Sequence, residues 1–400
     1  MSVLGIIAEY NPFHNGHLYH MNASKSAFSA SKVIVIMSGN FTQRGDSAIC
    51  DKFTRTRMAL ENGADIVVEL PVFYAVSSAE YFSWAAVKLM DAMGVVTHLS
   101  FGSESGDLEK LRIVASAMNK HRESISWMTS ALMADGLPYF TAREHSLSNI
   151  LHICQDFIRQ PNHILAIEYM RALEEINSSI TPVTIKREGL DHYETASSLR
   201  KYIKSGDYPS LGEAVPDSVF FLLLGQISRY GTADISRLDS VLFYLLRTKS
   251  LDEIKAIHGM NDGVAERMVR LCGLYDSSEE LLNAVKTKRY AHTRLRRTTA
   301  HLLLDIKSDA FDQLNAAGGP QYIRVLGFRK DASHLLGEMV KIASLPVITN
   351  LPQASDVLDE TGQLMLGKDI QSTDLYYLAC KNKKNTHGKN REYYQKMVKV

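Results

Sequence analysis

Apolar residues fall in short unbroken runs through the first two hundred positions and in helical spacing after them. The first run, Val3–Ala8, is apolar throughout, as a strand covered on both faces requires. Comparable runs stand at 33–37, 65–69, 97–101 and 182–186. Between them the pattern predicts helices at about 16–28, 51–61, 78–93 and 108–118, and a longer helical stretch over 122–176. Apolar strands alternating with helices predict a parallel sheet with helices on both faces, the α/β class. In such sheets ligands lie past the carboxyl ends of the strands, where strand order reverses.

From about residue 215 the pattern changes. Segments 236–248, 250–257, 263–271, 278–286 and 294–304 read as helices, with Asp217, Ser236, Asp252 and Ser278 as candidate caps. Only 322–326 and 346–349 read as short strands. The expected organisation is a sheet domain over 1–210 followed by a mostly helical domain over 211–400. The boundary is placed within 204–217, where Gly206, Pro209, Gly212 and Pro216 cluster.

Length agrees, since 400 residues exceed one comfortable core. The longest apolar runs, such as 219–224, fall far short of a membrane span, and the N-terminus carries no basic leader pattern. Cys50, Cys154, Cys272 and Cys380 are isolated, which predicts buried thiols in a reducing, cytoplasmic setting rather than a zinc site or disulfide framework. Net charge is only +1, but its distribution is uneven. Residues 286–330 hold ten basic against three acidic side chains, and 381–400 hold seven against one. Such late basic segments read either as a polyanion-binding surface or as a solvated helix face and a disordered tail.

The chemistry concentrates after the first strand. Asn11-Pro12 breaks the run, and His14-Asn15-Gly16-His17 opens a helix. A helix N-terminus offers unpaired N–H groups and a positive dipole end to phosphate. His14 and His17, three apart, share one face of the first turn, and Gly16 lets a nucleotide approach the backbone. At this composition, His-x-Gly-His arises by chance about 0.03 times. Substitution at a phosphorus atom needs positioning and charge stabilisation rather than a protein nucleophile, and two imidazole donors suit that task. Tyr10, Asn11, Pro12 and Phe13 are expected to wall the nucleotide pocket, and His20 either joins the site or is a solvated helix residue.

The strand followed by His-x-Gly-His resembles the nucleotidyltransferase superfamily that includes class I aminoacyl-tRNA synthetases. The longer string from Gly5 to His17 is similar to the bacterial tRNA(Met) cytidine acetate ligases. The likeness continues in Gln43-Arg44-Gly45-Asp46, Asp51-Lys52-Phe53, the segment 62–71, Ser100-Phe101-Gly102-Ser103-Glu104 and Arg294-Leu295-Arg296-Arg297. The resemblance implies a Rossmann-like (HUP-type) catalytic domain. It also implies an ATP-dependent ligase that forms acetyl-adenylate from acetate. The acetyl group would then pass to N4 of the wobble cytidine of elongator tRNA(Met), giving N4-acetylcytidine.

On that reading His14, His17, Arg44 and Lys52 are the candidate catalytic residues. Arg44 and Lys52 would hold a small carboxylate or the tRNA acceptor base, although Lys52 on a helix is otherwise a solvated lysine. The nucleotide is expected to meet Ile7, Ala8, Glu9, Asn15 and Leu18 besides the residues above. Gly102, at a strand end, either meets the adenosine or simply makes a turn. Asn162 caps a helix, reads the adenine edge, or both. Arg187 at the end of the 182–186 strand, with Ser198 and Arg200 in a partial match to a phosphate loop, would grip the leaving pyrophosphate; a capping-box variant and an exposed arginine are the plainer readings. Lys288, Arg289, Arg294, Arg296 and Arg297 would meet tRNA phosphates, and Tyr290 would stack on an unpaired base. Mg²⁺ is expected with ATP, from the chemistry alone, and no protein metal site is expected. Two other readings stand: an adenylyltransferase acting on a small phosphomonoester, and a non-catalytic tRNA-binding protein with a vestigial nucleotide fold.

Overall fold

A computed structural model of the chain describes residues 2–151, 155–186, 194–261, 263–287, 290–382, 386 and 388–400. Five parallel strands form its frame: β1 (Val3–Ala8), β2 (Lys32–Ser38), β3 (Ile66–Leu70), β4 (His98–Ser103) and β5 (Thr181–Lys186). Their spatial order is β5-β4-β1-β2-β3, so the direction of winding reverses between β1 and β4. The carboxyl ends of those two strands, Ala8 and Ser103, therefore flank the switch-point crevice. The strands lie within two residues of the runs read from the sequence, and β1 coincides with its run. Their apolar side chains enter two cores, one on each face of the sheet, as a doubly covered parallel sheet demands.

The sheet does not end within 1–210. Strand β6 (Ile323–Phe328) runs antiparallel beside β3, and β7 (Val347–Ile348) and β8 (Val398–Lys399) pair with β6. The sheet thus crosses the expected boundary at 210/211, and the segment placed there contains a helix, Tyr208–Ala214. The reason is pairing: β3 would otherwise present an open, fully buried edge, and β6 fills it. The rest of 211–400 is mostly helical. It builds a third core from Leu238 to Leu303, closed by Ala379. The 19-residue helix Glu360–Leu378 links this bundle to the sheet, with Leu375 touching both cores.

Helix starts obey local chemistry, displaced slightly from the sequence reading. Asp234, Ser250 and Ser277 make side-chain caps, one or two residues before the candidates Ser236, Asp252 and Ser278. The helix at Asp217 has Pro216 as its cap residue instead. The basic end of the chain is docked rather than loose: β8 joins the sheet, Glu392 is fully buried, and the Arg391 guanidinium lies 4.1 Å from the Tyr377 ring centre. Cys50, Cys272 and Cys380 are buried thiols outside any disulfide, and Cys154 lies outside the described residues.

Candidate active site

Past β1 the chain turns sharply. Tyr10 sits at φ 46°, the Asn11–Pro12 peptide is cis, and His14 becomes the N-cap of the helix Asn15–Ala27. The cap is a box made of two imidazoles. His14 Nδ1 accepts the Gly16 amide at 3.1 Å, and His17 Nδ1 accepts the His14 amide at 3.2 Å. A neutral ring that accepts at Nδ1 carries its proton on Nε2. Both histidines therefore hold an Nε2–H donor on the side away from the backbone, with ring centres 3.7 Å apart. Tyr10 and Phe13 pack against His17 at 4.9 and 5.6 Å and fix its ring.

The loop is braced from below by Arg55, a fully buried residue on the helix Lys52–Glu61. Its guanidinium donates to the carbonyls of Glu9 (2.6 Å), Ser38 (3.1 Å), Gly39 and Cys50 (3.1 Å). The Glu9, Ser38 and Gly39 carbonyls stand where β1 and β2 end, and the Cys50 carbonyl lies just before the helix that carries Arg55. Arg200 Nη1 donates to the Asn11 carbonyl at 2.8 Å, and Asn11 Oδ1 accepts the Ile49 amide at 2.7 Å.

Above this floor opens a cavity of about 1850 Å³. It exceeds the usual size of a single small-ligand site, roughly 300–1,000 Å³. The cavity collects Ile7, Ala8, Glu9, Tyr10, Asn11, His14, Gly16, His17 and His20 from the first motif. Arg44, Gly102, Asn162 and Arg200 join them, and Tyr290, Arg294 and Arg297 line the same cavity from the helical part. Widely separated candidates thus converge on one cleft.

Other candidates do not. Lys52 is neither a cleft cation nor a solvated one: its side chain is 0% exposed, and its ammonium is 2.6 Å from Glu69 and paired with Glu392. On a helix the inward residues recur three and four apart, and Lys52 lies on the buried face with Arg55, Thr56 and Ala59. Pro12 and Phe13 are buried beneath the loop, and Leu18 packs on the core side of its helix. Asn15 points outward and donates to the Glu213 carbonyl at 3.0 Å. Ser198 gives its amide to Thr195 Oγ1 within a helix cap and lies outside the cleft, whereas Thr195 itself lines it. Arg296 turns away to pair with Asp46 at 3.3 Å. Asn162 is not the cap of its helix, which starts after Gln160; its amide donates to Glu104 Oε1 at 2.7 Å. His20 is held by Ser100 at 3.2 Å and faces the cleft rather than bulk solvent. Arg187, Lys288 and Arg289 lie outside the described residues.

Seven Lys and Arg side chains line the cleft against four carboxylates, Glu9, Glu104, Glu194 and Asp312. Burial pushes the Glu9 carboxyl up, against the Gln43 amide and the positive fields of Arg55, Arg44 and Arg200. Burial lowers Arg297 to about 10, with nearby Arg294 adding to the effect. Burial likewise brings His258 down to about 4, so this imidazole is neutral at pH 7. Sequence reasoning gave no separate weight to Gln43, Glu104, Tyr169, Lys186 or Thr195, which also line the cleft. Gln43 and Glu104 stood inside quoted motifs, a usable signal; Tyr169 and Arg55 had none, because only the fold brings them here.

A parallel sheet with its switch-point cleft, and a helix opened by His-x-Gly-His at that cleft, define a nucleotidyl transferase. The chain matches the HIGH Nucleotidyl Transferase family over residues 1–392 and belongs to it. It belongs more narrowly to the tRNA(Met) cytidine acetate ligases. It is 39% identical over 393 residues to the enzyme of that name from Thermoanaerobacter sp. (strain X514), with 96% of each chain covered. The Acetivibrio thermocellus enzyme is 37% identical over 400 residues, again with 96% of each covered. The crystal structure of Thermotoga maritima TmcAL bound with alpha-thio ATP matches with a TM-score of 0.94 at 30% identity, covering 100% of this chain and 99% of that one.

Proposed function

We propose that this chain activates acetate with ATP as acetyl-adenylate and passes the acetyl group to N4 of the wobble cytidine of elongator tRNA(Met). The carrying observation is that one cleft holds both the His14–His17 donor pair and Tyr290 with Arg294 and Arg297 of the helix His292–Leu304. The first suits attack at the α-phosphate of a nucleotide. The second suits a polyanion.

The first step needs acetate to attack the α-phosphorus while pyrophosphate leaves. His14 and His17, each with an Nε2–H, stabilise the phosphoryl oxygens as charge builds there. Arg200 and Arg187 would hold the pyrophosphate; Arg44 would steer acetate. Gly102 would let the adenosine lie against the backbone. Among the described residues no group of three His, Cys, Asp or Glu side chains is arranged to hold a metal. Mg²⁺ would therefore enter on the phosphates of ATP, as is usual for that ion. In the second step Arg294 and Arg297, with Lys288 and Arg289, would orient the tRNA by its phosphates while Arg296 holds the helix to Asp46, and Tyr290 would stack on an unpaired base. Among the described residues no helix is long and apolar enough to cross a membrane.

The test is ATP–pyrophosphate exchange with and without acetate, followed by mass spectrometry of tRNA nucleosides after incubation with labelled acetate. Acetate-dependent exchange and labelled N4-acetylcytidine are expected. Exchange that ignores acetate would overturn the reading and favour a phosphomonoester acceptor.

A further inference from the structure

Of the four carboxylates that line the cleft, Glu104 holds the Asn162 amide and Glu194 takes the Tyr202 hydroxyl, whereas Glu9 stands next to the histidine turn. It follows β1 directly, five residues before His14, and faces the cavity shared by the nucleotide residues and the basic helix. A carboxylate is a poor neighbour for a triphosphate or for acetate, since like charges repel. It is a good neighbour for an amino group. Carboxylates accept hydrogen bonds from the exocyclic N4 amine of cytosine, and uracil offers no donor at that position.

The side chain is held for such a role. Oε1 accepts the Gln43 amide at 2.8 Å, which fixes the carboxylate plane. Among the described residues no hydrogen bond falls on Oε2. Charged and titratable groups reach it from every side: Arg44 from the following loop, Arg55 from the helix Lys52–Glu61, Arg200 from the helix Ala196–Ser205 and Tyr169 from the helix Pro161–Glu175. The three arginines favour the ionised form, which burial opposes.

On the reading that the chain acetylates a cytidine, we propose that Glu9 recognises the cytosine amine and is the general base of acetyl transfer. The N4 nitrogen attacks the acetyl carbonyl of acetyl-adenylate, and a C–N bond forms. The carbonyl–oxygen bond of the mixed anhydride breaks, and AMP leaves with the electron pair. The N4 proton moves to Glu9 Oε2 and then to solvent. The cytosine lone pair is delocalised into the ring, so the amine becomes a competent nucleophile only as that proton departs. A base at this point has the largest effect.

The variant Glu9→Gln keeps the size and the acceptor for the Gln43 amide but removes the charge. Two rates are read on it: acetate-dependent ATP–pyrophosphate exchange, and single-turnover transfer from preformed acetyl-adenylate to tRNA(Met). The ratio of transfer to exchange is expected to fall at least ~100-fold, the size of a general-base contribution. The acid limb of the wild-type transfer rate against pH should vanish in the variant. Glu9→Asp, which keeps the charge but withdraws it by one methylene, should retain the limb at a lower rate. An unchanged ratio would overturn the proposal. So would a parallel fall of both rates, which would place the carboxylate in adenylation, for instance on Mg²⁺. A wild-type enzyme with no acetate-dependent exchange would instead defeat the underlying function, which separates the two failures.

Discussion

At His17 the ring is divided between two tasks. Nδ1 closes the cap on the His14 amide, and Nε2 carries the proton offered to the cleft. Amide side chains can separate these tasks. His17→Asn places an acceptor near Nδ1 and nothing near Nε2. It should leave stability within about 0.5 kcal/mol, as cap acceptors exchange for one another at small cost. Its ATP–pyrophosphate exchange should fall roughly 10²–10³-fold, the loss seen when one preorganised donor is removed. His17→Gln places a donor near Nε2 and should retain more exchange while losing about 1 kcal/mol of cap energy. Denaturant unfolding and exchange measured on both variants check this; equal losses would show that the tasks are not divided. The residues His14, Gly16 and His17 were legible in the sequence because all their chemistry is local. Lys52 was not. A lysine at the start of a helix looks solvated, and only β3 and the distant Glu392 make it a buried cation.

Elements meet at the loop that holds Gln43, Arg44, Gly45 and Asp46. Gln43 is tied to Glu9, and Asp46 pairs with Arg296 on the helix His292–Leu304. Gly45, at φ 80°, lies flush against that helix; an added Cβ would come within 2.6 Å of the Arg296 carbonyl carbon and the Arg297 nitrogen. The loop is thus the joint between the nucleotide floor and the basic helix. Gly45→Ala adds both a left-handed strain and a backbone clash, so a loss of about 1–3 kcal/mol is expected by denaturant unfolding. Unaltered stability would mean that the loop is not seated as described. The five parallel strands could be read from apolar runs because burial on both faces leaves no polar alternation. The helix Glu360–Leu378 could not. It is buried on several sides, through Met365, Asp369, Ile370, Thr373 and Tyr376, and so shows no single stripe.

Across the whole molecule, the sheet and the C-terminal segment are locked by one buried ion cluster. Lys52 pairs with Glu69 and Glu392, and Arg324 on β6 pairs with the same two carboxylates. Thr373 donates to Glu392, and Tyr322 donates to Asp369. Burial alone would raise the Glu392 carboxyl; Arg324 and Lys52 overcome it and hold the group at about 2. A carboxyl lowered by folding stabilises the native state above its ordinary value of 4.5, and that contribution disappears as pH falls toward 2. Asp369 has the opposite sign: burial and the Glu69 charge raise it to about 7, so its contribution declines as pH rises from 3.8 to about 7. Glu392→Gln strands two buried cations with one carboxylate fewer. It should destabilise the protein by about 3–5 kcal/mol at neutral pH. The gap from wild type should narrow below pH 4.5. Denaturant unfolding at neutral pH and near pH 3.5 reads both outcomes, and a gap independent of pH would argue against ionised pairing.

The sequence by itself determined the α/β class, the five parallel strands, the helix opened by His14 and His17, and the uneven charge. Each of these follows from residues near one another along the chain: apolar runs, cap chemistry, local charge counts. Tertiary structure alone decided that β6, β7 and β8 extend the sheet across the supposed boundary, that Lys52 is internal, and that Glu9 shares a cleft with Tyr290 and Arg297. Those outcomes depend on which distant segments satisfy an open strand edge or a buried charge, and no local pattern carries that information.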